Sequence, residues 1–184
     1  MRKLCVLAVV MLAVSFCAMA QNGPKNEVFG GYSYFHADTG LTGLPSQNMN
    51  GWDGALTHFF NPYLGVTADF NGEYTSQNVS GTTTNVHLHN FLFGPTVAYR
   101  RSKIRPFAHA LFGVSHLSGS TDDGTGSVSI PSDNSFAMAF GGGADLKVAR
   151  VIDVRLGQLD YVRTEFGSTS QNHLRYATGV VFRF

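Results

Sequence analysis

Apolar and polar residues alternate with a period of two along most of this chain, and after residue 20 no apolar run is long enough to form a spanning helix. The alternation is plainest in the closing stretch LRYATGVVFRF. One phase holds Leu174, Tyr176, Thr178, Val180, Phe182 and Phe184, and the other holds Arg175, Ala177, Gly179, Val181 and Arg183. A period of two is a strand. One mostly apolar and one partly charged face suits a soluble sandwich and a membrane barrel equally, so the rest of the chain must choose.

Composition supplies the choice. Asp, Glu, Lys and Arg make up 14% of the residues, against about 25% in a soluble domain. With 21 glycines and 12% aromatics, there are too few charges to coat a water-facing exterior. A spanning helix needs ~20 apolar residues, so contact with lipid falls to strands. The start, MRK followed by the apolar run Leu4 to Phe16 and then CAMA, reads as a cleaved secretory signal with Ala18 and Ala20 at the cut. A lipoprotein signal would need a small residue before Cys17, where Phe16 stands. The expected division is residues 1–20 as signal and 21–184 as one strand-built domain in contact with lipid, which the strand count below makes an outer-membrane β-barrel domain. Cys5 and Cys17 leave with the signal, so neither a disulfide nor a thiol nucleophile remains. Bases and acids then nearly balance, which argues against a nucleic-acid partner.

Strands are expected near 27–36, 51–60, 63–74, 86–100, 106–116, 135–148, 151–165 and 174–184. Their connections alternate between tight turns and longer polar segments at 37–50, 75–85, 117–134 and 166–173. That rhythm describes an all-β, eight-stranded antiparallel up-and-down transmembrane β-barrel. An even strand number puts both ends in the periplasm and the long segments outside the cell. The one at 117–134 carries Asp122, Asp123 and Asp133. Lipid forces the apolar phase outward: Leu64, Val66, Ala68, Phe70 and Tyr74; Phe91, Phe93, Val97 and Tyr99; Phe136, Met138, Phe140, Ala144 and Leu146. Charge at Phe140 or Val66 is then costly, and Gly143→Ser on the inward phase is expected to be mild. In VIDVRLGQLDYVRT the polar pairs Asp153/Arg155 and Gln158/Asp160 fall in opposite phases, which a bulge near Leu156-Gly157 reconciles. The expected lumen charges are Asp53, Asp69, Glu73, Arg100, Asp145, Lys147, Asp153, Arg155, Asp160, Arg175 and Arg183, pairing with one another because unpaired buried charge is expensive.

The stretches VFGGYSYFHAD, NGWDGALTHFFNPYLGVTADFNGEY, FLFGPTVAYR, GGGADLKV and RLGQLDYVRTEF resemble the small outer-membrane β-barrel family, which is similar to the transmembrane domain of outer-membrane protein A. The resemblance covers essentially residues 26 to 184. It implies the outer membrane of a diderm bacterium, lipid as surroundings, and recognition by the barrel-assembly machinery. In such proteins the last strand is a sorting signal of a terminal Phe preceded by alternate apolar residues, here Phe184, Phe182, Val180 and Tyr176, with Thr178 a weaker match. No cell-wall-binding domain follows Phe184, so anchoring to peptidoglycan is not implied.

No spacing singles out a Ser/His/acid triad, and the pattern G-x-S-x-G is absent. GGGAD lacks the βαβ setting of a nucleotide site. His87 and His89 share one strand face and could hold a metal only with a third ligand, whereas an interfacial ring with Tyr and Trp52 needs none. The expectation is a structural or surface-interaction barrel without catalytic residues or cofactor, whose extracellular loops meet an unknown partner. A narrow porin-like channel, a lipid-modifying enzyme and a soluble lipocalin-like carrier are the alternatives.

Overall fold

The computed structural model describes residues 25–37, 47–79, 82–122, 124, 126–166 and 169–184. The proposed signal and most of the 37–50 connection lie outside the described residues. Eight strands follow one another: β1 (Asn26–Ala37), β2 (Gln47–Phe59), β3 (Leu64–Val79), β4 (Thr82–Ala98), β5 (Ile104–Asp122), β6 (Ser127–Lys147), β7 (Ile152–Phe166) and β8 (Thr169–Arg183). Each pairs antiparallel with the next, and β8 returns to β1 to close the barrel. At the seam the backbones of Asn26 and Phe184 exchange two hydrogen bonds, of 2.9 and 3.0 Å. Closure leaves no unpaired edge. The end holding Lys25 and Phe184 is the proximal end, and the opposite one is the distal end.

Facing follows the alternation. The outward phase exposes Phe70, Phe91, Phe93, Val97, Phe112, Val114, Phe136, Phe140, Leu159, Leu174 and Phe182. The inward phase buries Thr67, Asp69, Asn71 and Glu73 on β3 and Asp153, Arg155, Gln158 and Asp160 on β7. So large an apolar exterior belongs in hydrocarbon.

The four acids, amides and bases of β7 share the lumen because of a bulge. Ala144 pairs with Gly157 while Asp145 pairs with Arg155, leaving Leu156 as the extra residue. Its irregular backbone is served from β8: the Thr178 hydroxyl donates to the Arg155 carbonyl at 2.8 Å and the Tyr176 hydroxyl to the Leu156 carbonyl at 3.2 Å. Thr178, the polar interruption in the closing strand, therefore has a local reason to be polar.

Two expectations need correction. The segments at 75–85, 117–134 and 166–173 are mostly strand, not loop: β3 and β4 are separated by residues 80–81, β5 and β6 by 123–126, and β7 and β8 by 167–168. The β-branched residues Thr82, Thr83, Thr84, Val86, Thr121 and Val128 carry the ladder onward even though their neighbours are polar. β5 and β6 reach 19 and 21 residues, about twice the 9–11 that cross a bilayer. Their hairpin turns where the Gly124 amide donates to Asp122 Oδ1 at 2.8 Å, with Gly124 at φ 82°, a conformation that favours glycine. The ladder slips between Leu117 and Gly119, opposite Pro131, which has no N–H to donate.

The second correction concerns Gly143. A Cβ there would lie 2.2 Å from the Gly157 carbonyl oxygen, so β6 and the bulged β7 approach more closely than any side chain allows. Gly143→Ser is therefore not mild.

At the proximal end, Asn61 folds its side chain back on the β2–β3 turn, accepting from the amides of Tyr63 and Leu64 at 2.8 Å each, the habit of Asn in tight turns.

Candidate functional site: a filled lumen and a divided exterior

Arg175 stands at the centre of the lumen, 1% exposed. From β8 its Nη1 and Nη2 donate to the two Asp69 oxygens on β3 at 2.8 and 3.1 Å. Nε and Nη2 also donate to Asp160 Oδ2 on β7 at 3.0 and 2.7 Å. A planar guanidinium suits this forked bonding as an ammonium would not. Gln158 donates to Asp160 at 2.6 Å, His109 Nε2 lies 2.8 Å from Asp160 Oδ1, and Asn71 donates to Asp69 at 2.8 Å. Asp53 stands 3.8 Å from Arg175 Nη1 and makes no hydrogen bond. The Ser33 hydroxyl donates to Glu73.

A second layer lies toward the proximal end. Arg155 donates to Asp145 at 2.9 Å and to Gln158 at 2.6 Å, and its guanidinium lies 4.1 and 4.2 Å from the ring centres of Phe29 and Phe107. Arg183 reaches Asp153 at 2.6 Å and Glu27 at 3.2 Å, Arg105 reaches Asp153 at 2.8 Å, and Arg100 reaches Glu27 at 3.0 Å. Arg100 also lies 4.2 Å from the centre of Phe59. Between the layers a cavity of about 20 Å³ remains, roughly the room of one water molecule.

Ten of the eleven charges selected from the sequence stand inside this network or against it. Lys147 departs from them: it ends β6, beyond the rim, and is exposed. The network also recruits Glu27, Arg105 and His109. Glu27 was legible as the β1 partner of Arg183 once β1 and β8 are paired; Arg105 falls in the segment assigned to a turn.

Apolar residues from several strands fill the rest of the lumen. Phe35, Met49, Leu88, Leu92, Leu111, Ala137, Ala139 and Val162 form one buried cluster, and Phe29, Ala55, Ala177 and Val181 form a second toward the proximal end.

On the outside, a ring of amphipathic side chains circles the barrel toward the distal end. Trp52 Nε1 donates to the Tyr74 hydroxyl at 3.2 Å, and His87 and His89 meet the Tyr74 ring edge-on, with centroids 5.2 and 5.7 Å away. His36 and Asn48, His116 and Asn134, and Tyr161 and Asn172 pair across adjacent strands. Amphipathic rings of this kind settle at a membrane–water boundary. Although His89 pairs with His116 across the ladder, no group of three His, Cys, Asp or Glu among the described residues could hold a metal. Of the assembly-signal residues, Tyr176, Phe182 and Phe184 are exposed and Val180 is half-buried, all on the outward side.

An outward apolar band around a closed, packed eight-strand sheet defines a small transmembrane β-barrel of the bacterial outer membrane. Residues 5–184 match the family model of the outer membrane protein beta-barrel domain, and the chain belongs to that family. Among solved structures it is similar to the attachment invasion locus protein Ail of Yersinia pestis, at 16% identity and TM-score 0.65, covering 88% of this chain and 99% of that one. It is also similar to Neisserial surface protein A, at 17% identity and TM-score 0.62 over 86% and 97% of the two chains. OprG of Pseudomonas aeruginosa follows the same fold at 12% identity and TM-score 0.56, over 88% and 96%. At these identities the likeness is one of fold. No curated protein sequence matches the chain. The protein is an outer-membrane barrel.

Proposed function

We propose that this protein is a structural and surface-interaction barrel: its lumen is closed by ion pairs and packing, its distal hairpins face the cell's surroundings, and its proximal end faces the periplasm. The carrying observation is the span of Arg175 from β8 to Asp69 on β3 and Asp160 on β7, which ties opposite walls together at a level also occupied by Leu92 and Leu111. Eight strands leave an interior just wide enough for side chains, and a selective pore would more readily carry a ring of one charge sign. The folded protein should conduct little or nothing in planar-bilayer recording. Stable single-channel steps that persist after the hairpin tips are trimmed would promote the narrow-channel reading instead.

A catalytic role draws no support from the buried His109–Asp160 pair, because Asp160 serves Arg175 and Gln158 as well as His109. Among the described residues of the distal end the exposed acids Asp122, Asp133 and Glu165 are answered by Arg163 alone, 3.8 Å from Glu165. Ail has been solved with the heparin analogue sucrose octasulfate. A sulfated polyanion fits the acidic distal end of this chain poorly, and a neutral or basic surface fits it better.

Residues 1–20 are cleaved during export in this reading, and Phe184, Phe182, Val180 and Tyr176 present the closing strand to the barrel-assembly machinery. Phe184 is exposed and adds little to the finished barrel. Deleting it should leave unfolded protein in the periplasm while barrels refolded in detergent keep their stability. Wild-type levels of the deletion variant in the outer membrane, measured by fractionation and heat-modifiability, would end the sorting proposal.

A further inference from the structure

We infer that the proximal rim holds an anionic glycerophospholipid, with its phosphate on Arg101 and Lys103 and an acyl chain in the groove beneath Tyr63 and Tyr99. The starting point is how the bases divide. Residues 26–99 and 106–146 contain no Lys or Arg at all. Arg100, Arg105, Arg155, Arg163, Arg175 and Arg183 each have a carboxylate within 4 Å. Lys25, Arg101, Lys103, Lys147 and Arg150 have none among the described residues, and all five are exposed at the proximal end. The acids of that end, Glu27, Asp145 and Asp153, are buried and already serve lumen arginines. Five like charges therefore crowd one rim with no acidic side chain exposed among them, a surplus that favours an anionic partner from outside the barrel.

The groove supplies the second half of the site. On the outer wall, at the β4–β5 seam, a shallow apolar depression of about 390 Å³ is lined by Tyr63, Val97, Tyr99, Pro106 and Ala108. Pro106 helps open it: Tyr99 donates to the Pro106 carbonyl at 2.9 Å, but Pro106 has no N–H to return, and it and Ala108 reach little way outward beside Tyr99. The two tyrosine rings stack with centroids 6.4 Å apart, and the Arg101 guanidinium sits 5.7 Å from the Tyr63 ring centre. Apolar floor, tyrosine rim and unpaired cation thus follow one another in the order of an acyl chain, its ester linkage and its phosphate. Lys103 extends the cationic edge toward Lys147, whose amide donates to the Lys103 carbonyl at 2.8 Å. A guanidinium held over an aromatic ring can still grip a phosphate with its free N–H edge. A zwitterionic headgroup would leave the rim's charge uncompensated, which is why the anionic lipid is favoured.

The site rests on the proposal that the proximal end lies in the phospholipid leaflet, yet its test in vesicles does not, since both leaflets there offer the same lipids. Protein refolded in phosphatidylcholine vesicles would receive trace spin-labelled phosphatidylglycerol or spin-labelled phosphatidylcholine, and the motionally restricted fraction would be read by electron paramagnetic resonance. Wild type should prefer phosphatidylglycerol about fivefold, the selectivity one well-placed base supplies at a bilayer surface. Arg101→Gln with Lys103→Gln should abolish most of that preference, whereas Lys147→Gln with Arg150→Gln on the neighbouring turn should keep most of it. Ala108→Phe, which fills the groove, should lower phosphatidylglycerol restriction with all five bases intact. No preference in wild type, or equal losses in the two double variants, would overturn the local site, the latter in favour of a diffuse field. Cysteine labelling of the distal hairpins on intact cells tests the orientation separately.

Discussion

Arg175→Met should cost about 3–5 kcal/mol of barrel stability, read by reversible urea unfolding in lipid vesicles, because removing one partner strands the other charges in the lumen. Asp69 and Asp160 would each lose two charge-assisted bonds to the guanidinium, leaving Asp160 with His109 and Gln158 and Asp69 with Asn71. Asp53, already without a hydrogen bond, would lose the cation 3.8 Å away. The penalty belongs to the stranded carboxylates rather than to any special worth of the arginine. Arg175→Met combined with Asp69→Asn and Asp160→Asn should therefore recover most of the loss, since whole buried ion clusters are often replaceable at little cost. The triple variant also keeps the idea testable if the single one does not fold. Lys147→Met, at an exposed strand end, should stay within about 0.5 kcal/mol of wild type. Equal effects at Arg175 and Lys147 would mean that the lumen cluster contributes nothing.

Strand number and facing could be read from the sequence because lipid imposes one rule on every strand: the apolar phase goes outward. Where a strand obeys it, as β3 does with Phe70 outside and Asp69 and Glu73 inside, the residues name their own sides. The rule loses force where aromatic rings do polar work within the lumen. Phe29, Phe59 and Phe107 point inward and carry the guanidinium groups of Arg155 and Arg100 on their faces, so their hydrophobicity says little about lipid. The lengths of the distal hairpins were hidden for a different reason. Above the bilayer neither face meets hydrocarbon, and strands there carry Ser, Thr and Asn on both sides, which composition alone does not separate from loop. The opposite case is β7, where a broken alternation revealed the bulge at Leu156, because four polar residues in opposite phases can share the lumen only if one residue is added. No account of spacing could have shown that Gly143 has no room for a side chain, since the Gly157 carbonyl comes up against it only once β6 and β7 are paired.

Phe140→Arg should cost about 2–4 kcal/mol in the same unfolding measurement, the price of a cation at mid-bilayer on a barrel's lipid face. Phe140 stands midway along the apolar band of β6 between Phe136 and Leu146 and is exposed. It packs edge-on against Phe112, with centroids 5.6 Å apart and planes at 83°. Phe140→Leu separates the two contributions, keeping an apolar surface while losing that ring contact, worth about 0.5–1.5 kcal/mol. Val66→Arg tests depth. The alternation alone makes charge at Val66 as costly as at Phe140, but as the third residue of β3 it lies near the proximal boundary, where a long side chain can reach water, so that expectation is corrected to a cost of about 0–1 kcal/mol. An inward comparison at Gly143 is spoiled by the Gly157 carbonyl; Ser115, fully buried with a hydroxyl that has no hydrogen-bond partner, serves instead. Ser115→Ala should change stability little, because it removes an unsatisfied polar atom and almost no volume. A gradient with Phe140→Arg far above Val66→Arg, and Ser115→Ala near zero, is what a barrel facing lipid in this phase must give, whereas Phe140→Arg costing no more than Ser115→Ala would put the lumen on the wrong side of the sheet.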